Sequence, residues 1–434
     1  MSALALKTHP PGMFELDFAR HAASLPGAGL AWLDARRRVA IAAFGKTGLP
    51  TRRVEAWKYT DLANALEGDL EPVSHFGGAV DIANVFGSKP VDEVVLAHGL
   101  VRHIEVSGGL EVADLGLLDE KSPAWIRDNL GMLAASADQP LGAASLALMR
   151  GGVAVRVQGA QTLHLQFSNP ALGHGAVSNS RVLIVVEQGA SLRLLESHSG
   201  EPGRQRLANL GVELVLNANA KLEHIRLQSD DANALHVTTI GASLARDAEY
   251  RALFAAMGAR LSRVDMNLKL ASEGARATLH NIAVLNGGIA DITTVMDHAA
   301  PHTTSRQLFK SVVGGDGRAV TQGRVAVRKG AVKSDSHQLF KALLLSPRAE
   351  ADAKPELEIF ADDVVCGHGT AIGALDADAL FYLRARGIPE REAKGLLIRA
   401  FLAETMEGFA DEAVQDALAA RIDESLASLE QSES

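Results

Sequence analysis

A single cysteine and only 4% aromatic residues occur in a chain of 434. One thiol excludes an internal disulfide framework and a self-contained four-cysteine metal site. It suits a reducing compartment, so the expected location is the cytoplasm. No segment approaches the roughly 20 apolar residues of a membrane span. The opening MSALALKTHPPG has too short an apolar stretch for a secretory leader. No long basic run occurs, and the net charge is -9, from 43 basic and 52 acidic residues, which argues against nucleic acid as a partner. The triplet Arg36-Arg37-Arg38 falls in an apparent helix and reads as a solvated face. With 47% apolar residues and so few aromatics, the core must be built from Ala, Val, Leu and Ile. That composition suits thin, regularly stacked layers.

Four textures follow one another. Residues 1–70 read as helical, with Leu30, Leu33, Val39 and Phe44 at helical spacing and Gly45 as a stop. Residues 71–150 are mixed and lead into the core. Residues 151–375 carry short alternating strands: Val153, Val155 and Val157 alternate with Ala154 and Arg156, and Val264, Met266, Leu268 and Leu270 with Asp265, Asn267 and Lys269. Residues 376–434 return to helix.

Small residues recur at turns through the strand region, at Ala190, Ala220, Ala248 and Ala275. A period of about 30 residues, each unit a corner followed by a strand, suggests a solenoid whose coils bury their apolar faces on one another. No helix-length pattern separates the strands, which argues against βαβ units. The predicted fold is mainly β, a parallel β-helix flanked by N- and C-terminal helical regions, with a β-sandwich as runner-up. After residue 375, Asp376 is a plausible N-cap, Gly387 a stop, and Pro389 the opening of a second helix. Val414, Leu418, Ile422 and Leu426 form one apolar stripe on a third. The flanking helices are expected either to cover the open ends of the solenoid or to dock a partner. Leu396, Leu397, Phe401 and Leu402 give the second helix a surplus of apolar surface.

The candidate chemistry lies in DDVVCGHGTAIGALD, residues 362–376. Cys366 and His368 are two apart, so on a strand they share a face. They could form a nucleophile pair, a metal site or quiet core. Parallel side chains on one strand point alongside each other, which weakens the nucleophile reading. Gly367 and Gly369 remove bulk next to them. Asp297, His298 and His302 have a helical metal-ligand spacing, but Pro301 argues for a loop of hydrogen-bonded histidines. His337 beside Asp335 reads as polar strand or turn. VVGGDGRAVTQGRV lacks the ending of a P-loop and reads as a turn between strands.

Residues 333–388, KSDSHQLFKALLLSPRAEADAKPELEIFADDVVCGHGTAIGALDADALFYLRARGI, resemble the C-terminal core of the SufB/SufD family of iron–sulfur cluster assembly. A weaker resemblance runs through residues 297–327. PTRRVEAWKYTDL resembles the SufD branch. The resemblance implies a right-handed parallel β-helix and a non-catalytic scaffold subunit in a cytoplasmic complex with SufB and the ATPase SufC. It places His368 as a candidate cluster ligand at the SufB interface, with Cys366 nearby. It makes the C-terminal helices, residues 376–434, the SufC-docking region. It also allows a reduced flavin in the complex and a homodimer of the isolated chain. An iron–sulfur cluster usually takes four protein ligands. This chain alone would supply one or two to a transient cluster shared with SufB. The alternatives are a SufB-type scaffold, which should carry more thiols, and a β-helix polysaccharide lyase or hydrolase.

Overall fold

A computed structural model describes residues 12–80, 85–86, 92–409 and 412–431. The opening residues 1–11, on which the leader reading rests, lie outside the described residues. Alternation along the chain becomes two sheets of ten strands each. Through the core, successive strands fall in opposite sheets, and each pairs in parallel with the strand two places along. The result is a parallel β-solenoid, which a sandwich of antiparallel strands would not give. One row of partners runs Ser191, Lys221, Glu249, Arg276, Thr304, Asp335 and Val365, so the coils stack without slipping.

The corners explain the repeat. Ala190, Ala220, Ala248 and Ala275 are all buried, each just after a residue at positive φ: Gly189, Asn219, Asp247 and Gly274. Glycine, asparagine and aspartate tolerate that left-handed conformation, and only a small side chain fits the inner side of the bend. Inside the bore, Val153, Val155, Val157, Leu192, Leu194, Val212, Leu214, Val264 and Met266 belong to one core.

The sheets begin before residue 151. Asp92–Ala97 pairs in parallel with Ala160–Asn169 and antiparallel with Leu100–Glu105. Leu110–Asp114 pairs antiparallel with Gly151–Val157. Val94, Val95, Leu96 and Ala97 are buried without alternation, because both faces of this strand are covered.

Among the described residues there are eight α-helices: α1 Met13–His21, α2 Ala31–Thr47, α3 Leu62–Ala65, α4 Ala124–Asn129, α5 Pro140–Ala147, α6 Ala377–Ala385, α7 Glu390–Met406 and α8 Glu412–Gln431. No helix of the described residues is long and apolar enough to cross a membrane. Helix α2 ends at Gly48 with φ 67°, three residues beyond the expected stop, and Val39 is 70% exposed. Arg37 is not on a solvated face. It is buried beside Met149, whose carbonyl accepts from its Nη2 at 3.3 Å, because α5 packs along α2. Asp376 caps α6 through Asp378 and Ala379 N–H, and Gly387 follows the helix at φ 85°. Helix α7 begins at Glu390 with Pro389 as N-cap.

The helices lie on the outer faces of the solenoid. Phe14, Phe44, Trp57 and Leu141 pack on Val177, Leu207 and Val237 of one sheet. Ile398, Leu402, Val414, Leu418, Ile422 and Leu426 pack on the other sheet, against Ile225, Leu227, Leu253 and Ile282. Leu402 is buried and Leu397 and Phe401 are half-buried, so much of the expected apolar surplus is spent on the fold. Among the described residues, the large apolar side chains left exposed on the C-terminal helices are Phe381, Tyr382 and Leu396. The last strand of each sheet, Glu350–Ile359 and Val365–Gly373, has no strand on its outer side among the described residues, and neither strand holds a buried residue.

Candidate functional site

Cys366 and His368 lie on one of these last strands. Val365–Gly373 pairs with Asp335–Leu344, setting Ser336 beside Cys366 and Gln338 beside His368. Ser336, Gln338, Phe340 and Ala342 are buried and face the bore. By register, Cys366, His368, Thr370 and Ile372 face the same way. No further strand covers them among the described residues, so Cys366 is half-buried against the core and His368 is exposed. The glycines are on the opposite face. A Cβ on Gly367 would meet only His337, at 3.7 Å, and one on Gly369 would press on Leu339 at 3.2 Å. They do not flank the Cys366–His368 face, as the sequence spacing suggested, because neighbours on a strand alternate sides.

Two polar columns run through the bore to these residues. In one, Thr294 Oγ1 donates to Gln307 Oε1 at 2.7 Å, and Gln307, Gln338 and His368 follow in register. The Gln338 amide is buried, and neither its oxygen nor its nitrogen has a hydrogen-bond partner among the described residues. In the other, His298 Nε2 lies 2.9 Å from Ser305 Oγ, Ser305 Oγ lies 2.7 Å from Ser336 Oγ, and Cys366 is next. Burial pushes the Cys366 thiol pKa up, which keeps it protonated at neutral pH and disfavours a nucleophile. Coordination to a metal would remove that proton.

The other histidines of the sequence analysis do not converge. His298 ends a strand inside the bore, bonded to Thr303 and Ser305, and burial pushes its pKa down to about 4. His302 forms a corner at φ 56°. His337 faces outward, 3.1 Å from Asp335. The glycine-rich stretch holds the turn, residues 314–317, between Thr304–Val313 and Arg318–Val327, and its remainder is strand.

One buried network escaped the sequence reading. Glu196 Oε1 is 2.5 Å from His198 Nε2 and accepts from Arg226 Nε at 2.8 Å, and its Oε2 is 2.9 Å from His224 Nε2. Asp230 is 2.9 Å from His236 Nδ1 and accepts from Arg206 Nη2 at 2.8 Å. Burial opposes the Glu196 charge, yet the bonds from His198 and His224 hold its pKa well below the usual range. Burial and the Arg226 charge push His198 down to about 3, and burial lowers His236 as well. Two guanidinium groups already face the two carboxylates, so His198 and His236 stay neutral. The available signal was the phase of alternation: Leu192 and Leu194 point inward, and Glu196 and His198 continue the same face.

Two cavities, of about 550 and 670 Å³, lie on the outer faces of the solenoid. Neither is lined by an aromatic side chain on which a flavin ring could stack. In the first, Asp265 is tied to Arg263 and Asp297 to Arg328, so these carboxylates are not a free pair for glycoside chemistry.

Residues 169–401 match the family model described as "SUF system FeS cluster assembly, SufBD core domain", and residues 14–87 match "SufBD protein N-terminal region". The chain is 28% identical over 397 residues to the iron-sulfur cluster assembly protein SufD of Escherichia coli, covering 88% of this chain and 90% of that protein. It is 28% identical over 391 residues to the chloroplastic protein ABCI7 of Arabidopsis thaliana, covering 85% and 81%. A SufBD family protein of Synechocystis is 32% identical over 254 residues, 56% of each chain.

Proposed function

The chain belongs to the SufBD family of the SUF iron–sulfur cluster assembly system, and from that premise we propose that it is a non-catalytic, SufD-type scaffold subunit acting in the cytoplasm. Its open C-terminal end pairs with a SufB-type subunit, strand edge to strand edge. His368 and Cys366 then offer ligands to a transient cluster whose remaining ligands come from the partner. The C-terminal region, residues 376–434, docks the ATPase SufC through Phe381, Tyr382 and Leu396, while residues 151–375 act as the core, 71–150 lead into it and 1–70 form the N-terminal helical region. In isolation the same edge would pair two copies of this chain.

The observation that carries the reading is the pair of uncovered edges, with both candidate ligands on a last strand. Uncovered edges present unpaired N–H and C=O groups that template pairing with another chain. The test is coexpression with the SufB- and SufC-type partners, followed by iron and acid-labile sulfide analysis of the purified complex. His368→Ala should leave complex size and subunit melting unchanged and lower bound iron and sulfide. Wild-type iron and sulfide in the intact variant complex would remove His368 as a ligand. Cys366→Ala, measured in parallel, separates ligation by the thiol from packing.

A further inference from the structure

A second cluster of metal-ligating side chains stands at the opposite end of the solenoid. In the hairpin of Asp92–Ala97 and Leu100–Glu105, Glu93 lies directly across from Glu105 and Val95 across from His103. His103 and Glu105, two apart, share one face. His103 Nε2 is 3.8 Å from Glu93 Oε1 and 3.5 Å from Glu105 Oε2, and one donor atom from each residue lies within 4.8 Å of the other two.

We propose that Glu93, His103 and Glu105 form a binding site for a divalent transition-metal ion of the Zn²⁺, Co²⁺ or Fe²⁺ class. Metal–nitrogen and metal–oxygen bonds of about 2.0–2.2 Å give tetrahedral ligand edges of about 3.4 Å, close to the two histidine–carboxylate spans. Two like charges directly opposed across an antiparallel pair repel. A divalent cation neutralises both. Gln166, itself buried, donates from Nε2 to Glu93 Oε2 at 3.2 Å, which leaves Oε1 turned to His103. Such outer hydrogen bonds orient a ligating carboxylate. The imidazole selects against Ca²⁺ and Mg²⁺, which prefer all-oxygen sets. His103 is 43% and Glu105 73% exposed, so a hydrated ion can enter and leave, and further coordination positions stay open. The site stands on the hairpin alone and does not depend on the assignment to iron–sulfur assembly.

The competing arrangement is His103 standing between the two glutamates without metal. The test uses the full chain, stripped with EDTA, in a Cys366→Ala background that silences the thiol. Co²⁺ is titrated by visible absorption and Zn²⁺ by calorimetry at pH 7.5. One saturable equivalent is expected, with affinity at least tenfold weaker in His103→Ala and in Glu105→Gln. His174→Ala, which alters the separate surface pair of His174 and Glu71 at 3.8 Å, should leave it unchanged. Circular dichroism of the metal-free variants checks the fold, and these exposed positions are expected to leave it intact. Absence of saturation by about 1 mM Co²⁺, or wild-type affinity in both hairpin variants, would overturn the proposal.

Discussion

Consider two proline substitutions one residue apart on the last strand, Thr370→Pro and Ala371→Pro. In a parallel ladder, alternate residues of a strand bond to one neighbour or the other. Val365 N–H donates to Ser334 O, so Gly367, Gly369 and Ala371 donate inward as well, while Cys366, His368, Thr370 and Ile372 direct their N–H groups to the open edge. The native chain already uses this freedom: Glu350 and Phe360 donate inward to Gly317 and Val327, which puts Pro355 at an outward position of the other edge strand. Proline at 370 removes no internal bond, and its fixed φ should cost the isolated chain no more than about 1 kcal/mol. Proline at 371 removes a ladder bond and leaves the carbonyl of buried Phe340 unpaired, a loss of about 1–3 kcal/mol before any strain. Denaturant unfolding of the isolated chain and size exclusion with the SufB-type partner read the two effects separately. Thr370→Pro should keep near-native stability and lose association. If it destabilises as much as Ala371→Pro, the edge is not free. If it binds the partner as wild type does, edge pairing is not the mode of docking.

Other perturbations follow from the interior and the helices. Arg263 is fully buried, pairs with Asp265 at 2.6 Å and with Asp291, and stacks 3.9 Å over Trp57. Arg263→Met leaves two carboxylates without their cation and should cost about 3–5 kcal/mol in denaturant unfolding. His164, His198 and His298 have folded pKa values lowered to about 4, 3 and 4 from 6.5. The unfolded chain therefore takes up protons first, so their contribution is full above pH 6.5 and is lost as pH falls toward 4. Melting temperature should drop steeply between pH 6.5 and 4, and a flat profile would contradict neutral buried histidines. Phe381→Ala with Leu396→Glu should abolish copurification of the SufC-type ATPase with unchanged subunit melting, since both side chains are exposed.

The solenoid was legible because a parallel stack repeats the same demands in every coil. Each corner needs a left-handed residue and then a small one, and Gly189-Ala190, Asn219-Ala220, Asp247-Ala248 and Gly274-Ala275 spell this out. Asp376 was legible for a local reason, since a cap needs only its own next few residues. Arg37, Arg263 and Glu196 were not, because the burial of each depends on groups far along the chain, Met149, Asp291 and Arg226 respectively. Of the candidate site, the shared face of Cys366 and His368 follows from the period of two. The Ser305–Ser336 and Gln307–Gln338 columns behind them depend on register between coils about 30 residues apart. EAWKYT showed its role only in the fold, with Trp57 against Arg263 and Thr60 bonded to Asp291.

The edge strands of the solenoid are not treated alike, and that difference bears on function. Native proteins protect sheet edges with charge, short strands or a covering element. At the N-terminal end the edge strands are LVRHIE, with Arg102, His103, Ile104 and Glu105 exposed, and LEVAD, each reached by reversing strand direction. At the C-terminal end one edge strand, EADAKPELEI, carries charges and Pro355, and the other is VCGHGTAIG. It has no Asp, Glu, Lys or Arg, and its Val365 and Ile372 are exposed. Thr370 and the glycines do nothing to repel a second strand. An edge left this bare in a chain that places charge on its other edges is expected to be covered by a partner. His368 and Cys366 sit on that bare strand, so the partner that covers the edge also completes their surroundings.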